Sequence, residues 1–348
     1  MEAYYRKHIL DFKRPSGTSR GVLRQKETWF IVIENNGKTG VGECGLLAGL
    51  SIDDRPDYES KLQWTCNHIG LGFEQLWTDL LEYPSIQCGL EQAFRSLSAA
   101  QPFELYPSSF TRGEKGIPIN GLIWMGDEDF MKSQIKEKID QGFSCIKMKI
   151  GAIDFSTEIK LLTAIRKEFS ATDIELRVDA NGAFSPEDAL SKLRRLATLD
   201  IHSIEQPIRQ GQWEAMAELC SKTPLPIALD EELIGVFEPE DKKKLLQIMK
   251  PQYLIFKPSL IGGFKGVNTW IKLCEEAAVD WWVTSALESN IGLNAIAQWT
   301  YTLNNSMPQG LGTGSLYTNN ISSPLQVIGE NLYYKRNGNW DTEYLKLN

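Results

Sequence analysis

Residues 145–150, CIKMKI, decide how the chain folds. Lys147 and Lys149 stand two positions apart in this run, so in a β-strand both would point to one face, with Ile146 and Met148 on the other. The run is either an edge strand with one solvated face or a buried strand that carries a pair of ammonium groups. Because burying two charges costs free energy, the second interpretation predicts chemistry.

A repeat in the second half of the chain distinguishes the two interpretations. Short apolar strands followed by helices recur at intervals of 25 to 30 residues, the length of a strand–helix unit with a parallel crossover. The predicted strand ends lie near Asn120, Lys149, Asp179, Glu205, Asp230, Lys257, Ser285 and Leu311. Eight such units predict an α/β fold, a modified (β/α)₈-type (TIM-like) barrel over residues 116–319. A closed barrel has no edge strand, so both lysines are predicted to lie at its mouth.

The flanking regions do not follow this repeat. Residues 27–45, ETWFIVIENNGKTGVGECG, predict two strands around an Asn-Asn-Gly turn, and residues 85–98 predict a helix. The segment 325–340 again predicts strands. We expect residues 1–115, joined by the tail 320–348, to form an α+β domain that caps the barrel. Its glycine-containing loops at 14–21 and 45–51 are candidate lids.

Composition restricts the partners and the chemistry. The net charge of −8 over 348 residues argues against nucleic acid as a partner. The six cysteines are scattered without a C-x-x-C pair, and no apolar run is long enough to span a membrane. We therefore expect a cytoplasmic protein that does not bind membranes. The three histidines lack metal-ligand spacing, and the oligomeric state stays open, a homo-oligomer included.

The charged strand ends predict a site for a small-molecule carboxylate substrate. Three acids, Asp179, Glu205 and Asp230, come from adjacent strands and would repel one another without a cation between them. Oxygen ligands of this kind suit Mg²⁺, with Mn²⁺ as the second candidate. Lys149 and Lys257 would then face each other across the metal, an arrangement that suits removal of the α-proton of a carboxylate. The positive charges of Lys147 and the metal favour the neutral, basic form of Lys149.

Seven stretches of this chain resemble the enolase superfamily, in which a lysine base works beside Mg²⁺. They are GVGECGLLAGLS (40–51), IKMKIG (146–151), RVDANGAFS (177–185), IEQPI (204–208), IALDEEL (227–233), IFKPSLIGG (255–263) and SALESNIGLNAIAQW (285–299). Within the superfamily the last three are most similar to the o-succinylbenzoate synthases of menaquinone biosynthesis. The resemblance implies a hydro-lyase that dehydrates 2-succinyl-6-hydroxy-2,4-cyclohexadiene-1-carboxylate to 2-succinylbenzoate.

The resemblance also implies roles for individual residues. Lys149 would remove the α-proton and then protonate the departing hydroxyl, Lys147 would lie near the substrate carboxylate, and Lys257 would stabilise the enediolate. The metal would be held by Asp179, Glu205 and Asp230, with Asn181 and Glu231 supporting these ligands. The substrate pocket at the seventh strand would be shaped by Ser285, Glu288 and Ser289. Arg20 or Arg24 could meet the succinyl carboxylate.

Two other functions stay open. An N-acylamino-acid racemase, or another acid-sugar or amino-acid epimerase of the superfamily, would use the same two lysines to exchange an α-proton. Dipeptide epimerases typically carry an Asp-x-Asp at the eighth strand, whereas residues 310–317, GLGTGSLY, contain no acid. The third function is a barrel that binds a metabolite or protein without catalysis, which a missing lysine or acid would have favoured.

Overall fold

Seven parallel strands carry the charged strand ends in the computed structural model, which describes residues 1–18, 21–336 and 338–341. The strands are β1 (Glu2–Thr18), β2 (Gly21–Asn35), β3 (Lys38–Cys44), β4 (Ile117–Pro118), β5 (Gly121–Ile123), β6 (Cys145–Lys149), β7 (Glu175–Asp179), β8 (Ser203–Glu205), β9 (Ile227–Leu229), β10 (Tyr253–Phe256), β11 (Asp280–Val283), β12 (Leu325–Ile328) and β13 (Asn331–Tyr334). The helices are α1 (Tyr58–Asn67), α2 (Phe73–Asp79), α3 (Pro84–Ser98), α4 (Glu128–Asp140), α5 (Phe155–Glu168), α6 (Pro186–Ala197), α7 (Trp213–Lys222), α8 (Pro239–Met249), α9 (Gly263–Ala277) and α10 (Asn290–Thr302). None of them, within these ranges, is long and apolar enough to cross a membrane.

Strands β5 to β11 lie side by side in chain order, which confirms the barrel-type fold. Strand β6 is hydrogen-bonded on both sides, to β5 and β7, and all five of its residues are buried. The edge-strand interpretation of CIKMKI is therefore wrong. Ile146 and Met148 pack in the main core with residues of the surrounding helices, while both lysines point to the interior face, as the alternation predicts.

The ends of the repeat differ from the prediction. The predicted eighth strand near Leu311 is reduced, in the described chain, to isolated bridges that join Gln309 to Ile119 and Gly310 to Thr284. A Cβ at Gly310 would lie 2.7 Å from Thr284 Cγ2, so this close crossing needs glycine. Residue 120, predicted as the end of the first strand, instead precedes β5. Pro118 has no backbone N–H, and the run 117–123 is divided between β4, which pairs with β13, and β5.

The capping region is built on the antiparallel sheet β1–β2–β3. The predicted turn lies between β2 and β3, where Asn36 and Gly37 have φ of 50° and 75°, as a two-residue hairpin requires. Helix α3, the predicted helix at 85–98, packs on β3, and a Cβ at Gly42 would lie 2.6 Å from Ala93 N. The capping sheet and α3 therefore share one core.

The C-terminal tail contacts both parts of the molecule. Strands β12 and β13 lie within the segment predicted to form strands and pair with each other, but β13 also pairs with β4, and Leu332 belongs to the barrel core. Farther along, Trp340 stacks on Phe103 of the capping region, with ring centroids 4.4 Å apart. The division into residues 1–115 with 320–348 and residues 116–319 stays a prediction.

Candidate active site

A cavity of about 1430 Å³ lies between the capping region and the C-terminal ends of the barrel strands, and its wall continues along α4 to Phe143 and to the β12–β13 hairpin. The capping wall includes residues 13–16 of β1, residues 21–23 of β2 and residues 47–50 of the predicted lid loop 45–51. The other predicted lid loop, 14–21, is wrong in its described part, because residues 14–18 end β1 and residue 21 begins β2. The barrel wall includes Lys147, Lys149 and Lys257. Arg20 lies outside the described residues, and Arg24 is exposed on β2, away from the cavity wall.

The sheet register brings the strand-end charges to one level. Lys149 pairs with Asp179 across β6 and β7, and Asp179 pairs with Glu205 across β7 and β8. Asp230 follows β9, and Lys257 follows β10. These five side chains, which come from five different strand ends, therefore meet with Lys147 at the floor of the cavity, because parallel strands end at the same edge of the sheet.

Each lysine contacts a carboxylate. Lys149 Nζ donates to Asp179 Oδ2 at 2.8 Å, and Lys147 Nζ lies 3.0 Å from the same oxygen. Lys147 also donates to Glu205, and Lys257 donates to Asp230. All three acids are 1–2% exposed. The two lysines of β6 and the lysine after β10 thus approach the carboxylates from different strands.

The pKa values follow from burial and from these pairs. Burial alone would raise the pKa of Asp179, but the ammonium groups of Lys147 and Lys149 overcome it and lower that pKa. Burial, together with the charges of Asp179 and Asp230, raises the pKa of Glu205. Burial would lower the pKa of Lys257, yet Asp230 and Glu205 raise it. The cluster needs about as many positive as negative charges to remain ionised.

The three acids offer the carboxylate ligands that a divalent cation prefers. Within the described ranges, however, no group of three acidic, histidine or cysteine side chains is found in metal-binding geometry, and lysine ammonium groups bridge the carboxylates instead. Glu205 Oε1 is buried without a hydrogen bond, and the ammonium of Lys257 lies 3.8 Å from it. The set contains oxygen ligands only, which is typical of Mg²⁺ sites.

Asn181 and Glu231 connect Lys149 to the acids. Lys149 Nζ donates to Asn181 Oδ1 at 2.7 Å, and Asn181 Nδ2 donates to Glu231 Oε1 at 3.1 Å. Asn181 N also donates to Asp179 Oδ1 at 3.0 Å. Asn181 has a φ of 44°, a left-handed conformation that asparagine tolerates better than most residues.

The three predicted pocket residues at the seventh strand are placed differently from one another. Ser285 lines the cavity and shares a 2.6 Å hydrogen bond with Thr313. Glu288 and Ser289 are fully buried outside the cavity wall, in the interface with the capping region. Glu288 accepts from Ser259, and Ser289 donates to Glu43.

The model of the enolase C-terminal domain-like family matches residues 131–334, more than half of the chain. The chain belongs to the enolase superfamily. An o-succinylbenzoate synthase from Desulfotalea psychrophila is 47% identical over 360 residues, covering 94% of this chain and 98% of that protein. The crystal structure of MenC from the same organism matches with a TM-score of 0.85 and 43% identity over 96% of this chain and 99% of that chain.

A more distant member of the superfamily shares the fold. The dipeptide epimerase from Enterococcus faecalis, solved in complex with Mg and the dipeptide L-Leu-L-Tyr, matches with a TM-score of 0.83 and 19% identity over 96% of each chain. At this identity the likeness concerns the fold alone.

Two residues of this enolase-superfamily site were not predicted from the sequence. Trp124 lines the cavity with its ring centroid 5.9 Å from Lys149 Nζ. Gln206 is fully buried, and its side-chain oxygen accepts from the backbone N–H of Asp230 at 3.2 Å. The position of Gln206, directly after the strand-end Glu205, was the available signal in the sequence. A polar side chain at the end of a buried strand is expected to hold a hydrogen-bond partner.

Proposed function

We propose that the chain is an o-succinylbenzoate synthase, a hydro-lyase of menaquinone biosynthesis. It would convert 2-succinyl-6-hydroxy-2,4-cyclohexadiene-1-carboxylate to 2-succinylbenzoate and water. The near-full-length relative at 47% identity carries the choice of reaction. Lys149 and Lys257 lie in the cavity wall beside the buried acids. They supply the amine and the positive charge that the reaction needs.

Lys149 is proposed as the general base and acid. Its amine removes the proton α to the substrate carboxylate, and the resulting ammonium donates that proton to the hydroxyl that leaves from the same face. One C–H bond and one C–O bond break, one C=C bond forms, and water departs. Asp179 and Asn181, at 2.8 and 2.7 Å from Nζ, hold the side-chain nitrogen in place.

Lys147 and Lys257 are proposed to act through their charge. Lys147 would lie beside the substrate carboxylate, and Lys257 would face the negative charge that develops as the α-proton leaves. Both are nearly buried, with side-chain exposures of 7% and 12%. Charge in a site from which water is excluded interacts more strongly than at the surface.

Asp179, Glu205 and Asp230 are proposed to hold Mg²⁺, with Mn²⁺ as a substitute, and Asn181 and Glu231 to orient these ligands. A bound divalent cation supplies positive charge to the substrate carboxylate as its α-proton is removed. The buried Glu205 oxygen without a hydrogen bond supports this assignment. Ser285, in the cavity wall, is proposed to contact the substrate.

Ultraviolet absorbance tests the reaction directly, because the product is aromatic. The protein is assayed with the cyclohexadiene carboxylate after EDTA treatment, and again after Mg²⁺ or Mn²⁺ is restored. We expect turnover that EDTA abolishes and either cation restores. Absence of aromatisation at saturating metal and substrate would refute the proposed reaction.

Racemisation is the second candidate, because Lys149 and Lys257 could exchange an α-proton on either face of a substrate. The test is deuterium incorporation into an N-succinylamino acid in deuterated water. Exchange without aromatisation of the diene would assign a racemase, whereas exchange together with fast aromatisation would make it a side activity of the same site.

A further inference from the structure

A second group of buried charges lies where the capping region meets the barrel, outside the cavity wall. It contains Lys26 of β2, Glu43 of β3 and Glu288 from the loop before α10. Their exposures are 4%, 0% and 0%. The mechanism proposed above uses none of them, so their cost in desolvation requires another explanation.

Glu43 accepts four hydrogen bonds through its carboxylate, and three of them join the capping region to the barrel. Its Oε1 accepts from Thr28 Oγ1 and from Ser289 N, both at 2.8 Å. Its Oε2 accepts from Gly292 N at 2.8 Å and from the hydroxyl of Ser289. The carboxylate thus occupies the N-terminus of α10, a 13-residue helix, where unpaired backbone N–H groups and the helix dipole favour an anion.

We call the contact between Glu43 and residues 289–292 the joint. Lys26 and Glu288 lie beside it. Lys26 Nζ is buried without a hydrogen bond, and burial lowers the pKa of Lys26 against the opposing effect of Glu43 and Glu288. Glu288 Oε1 accepts from Ser259 Oγ at 2.6 Å. Gly45 packs against this pair, since a Cβ there would lie 2.7 Å from Ser259 Oγ and 2.8 Å from Glu288 Cγ. Side chains from β2, the end of β3 and the loops after β10 and β11 therefore fit together without spare room.

The joint lies between two walls of the cavity. On the capping side, the chain runs from Glu43 to Leu47 and Leu50, which line the cavity. On the barrel side, Leu287 and Asn290 line the cavity and flank Ser289, the residue that Glu43 holds. A shift of α10 relative to β3 would therefore change the distance between these walls.

We infer that Glu43 is a positioning residue for substrate binding. By holding the first turn of α10 against the end of β3, its carboxylate sets the spacing between loop 47–50 and the wall formed by Leu287 and Asn290. It does not touch the substrate. This inference rests on the proposed function for the identity of the ligand, but not for the existence of the joint.

Glu43→Gln tests the inference with little change in shape. The amide keeps one acceptor but directs N–H groups at the donors of Ser289 and Gly292, so the joint should open. We expect KM to rise about tenfold or more, in line with the loss of a hydrogen bond to a charged group, while kcat changes less than about threefold because no reacting group is altered. Calorimetry with 2-succinylbenzoate should show a similar rise in Kd.

Glu91→Gln is the matched control. Glu91 of α3 is also a buried acid at the interface of the capping region and barrel, where it accepts from Lys265 N of α9 at 3.0 Å, away from the cavity wall. We expect this variant to lose stability without a rise in KM. An unchanged KM in Glu43→Gln, or an equal rise in Glu91→Gln, would overturn the inference.

Two further measurements keep the test decisive. If Glu43→Gln does not fold, Ser289→Ala removes one donor and should raise KM by a smaller factor in the same direction; an unchanged KM there would refute the inference. Hydrogen exchange of the Ser289 and Gly292 amides needs no ligand, and we expect it to accelerate in Glu43→Gln but not in Glu91→Gln. Accelerated exchange in a protein without synthase activity would show that the proposed function has failed and the joint has not, whereas unchanged exchange would overturn the joint.

Discussion

The buried carboxylate of Asp53 should make part of the stability of the chain depend on pH. Asp53 is fully buried two residues after the predicted lid loop 45–51, where its Oδ2 accepts from Ser85 N at 2.9 Å and from Ser85 Oγ at 2.6 Å. Its other oxygen has no hydrogen bond. Burial raises the pKa of Asp53 from 3.8 to about 6, against the opposing effect of the Ser85 hydrogen bonds.

The sign and size of the effect follow from linkage. Between pH 4 and pH 6 the folded chain retains a proton on Asp53 that the unfolded chain has released, so stability from this group falls as the pH rises. The difference between 3.8 and about 6, at about 1.4 kcal/mol per pKa unit, corresponds to about 3 kcal/mol. The proton on Asp53 contributes its full stabilisation below pH 4, and this stabilisation is lost above pH 6.

Asp53→Asn removes the titration and keeps an acceptor for Ser85. Urea unfolding followed by circular dichroism at pH 4, 5, 6 and 7 gives the difference in free energy of unfolding between variant and wild type. We expect this difference to move by about 3 kcal/mol in favour of the variant between pH 4 and pH 7. The exposed Glu276→Gln controls for the loss of one negative charge. A difference that stays constant across this pH range would refute the reasoning.

Three further predictions concern the site and its walls. Lys149→Ala should lower kcat by roughly 10²–10⁴, as expected for a lost general acid–base group; activity within a few-fold of wild type in the absorbance assay would contradict its role. Glu205→Gln should lower activity and weaken Mg²⁺ binding measured by calorimetry, and an active variant independent of metal would exclude this ligand. Gly45→Ala should lower the free energy of unfolding by about 1–3 kcal/mol through overpacking, and it should raise KM. Gly70→Ala, where the added Cβ meets open space, should change neither quantity. Equal effects of the two variants on thermal unfolding and on KM would contradict the packing argument.

Relations between near neighbours in the chain were predictable from the sequence. The alternation of CIKMKI placed both lysines on one face, and the 25- to 30-residue repeat placed the acids at successive strand ends. The hairpin at Asn36 and Gly37 was predictable for the same reason, since its backbone conformation depends on those residues themselves. Such features require only the geometry of a strand, a turn or one strand–helix unit.

Contacts between distant residues were decided by the tertiary structure. Glu288 stands in a motif predicted to shape the pocket, yet packing places it beside Ser259 in the interface with the capping region. The bond from Ser289 to Glu43 spans 246 residues, and no local pattern specifies it. The closure of the barrel through single bridges at Gln309 and Gly310 likewise depends on how the first and last units meet. The sequence alone therefore determined which residues carry charge and at which strand end each stands, because these are local properties. Only the folded chain decided which of those charges face the cavity and which hold its walls together, because that depends on the packing of the capping region against the barrel.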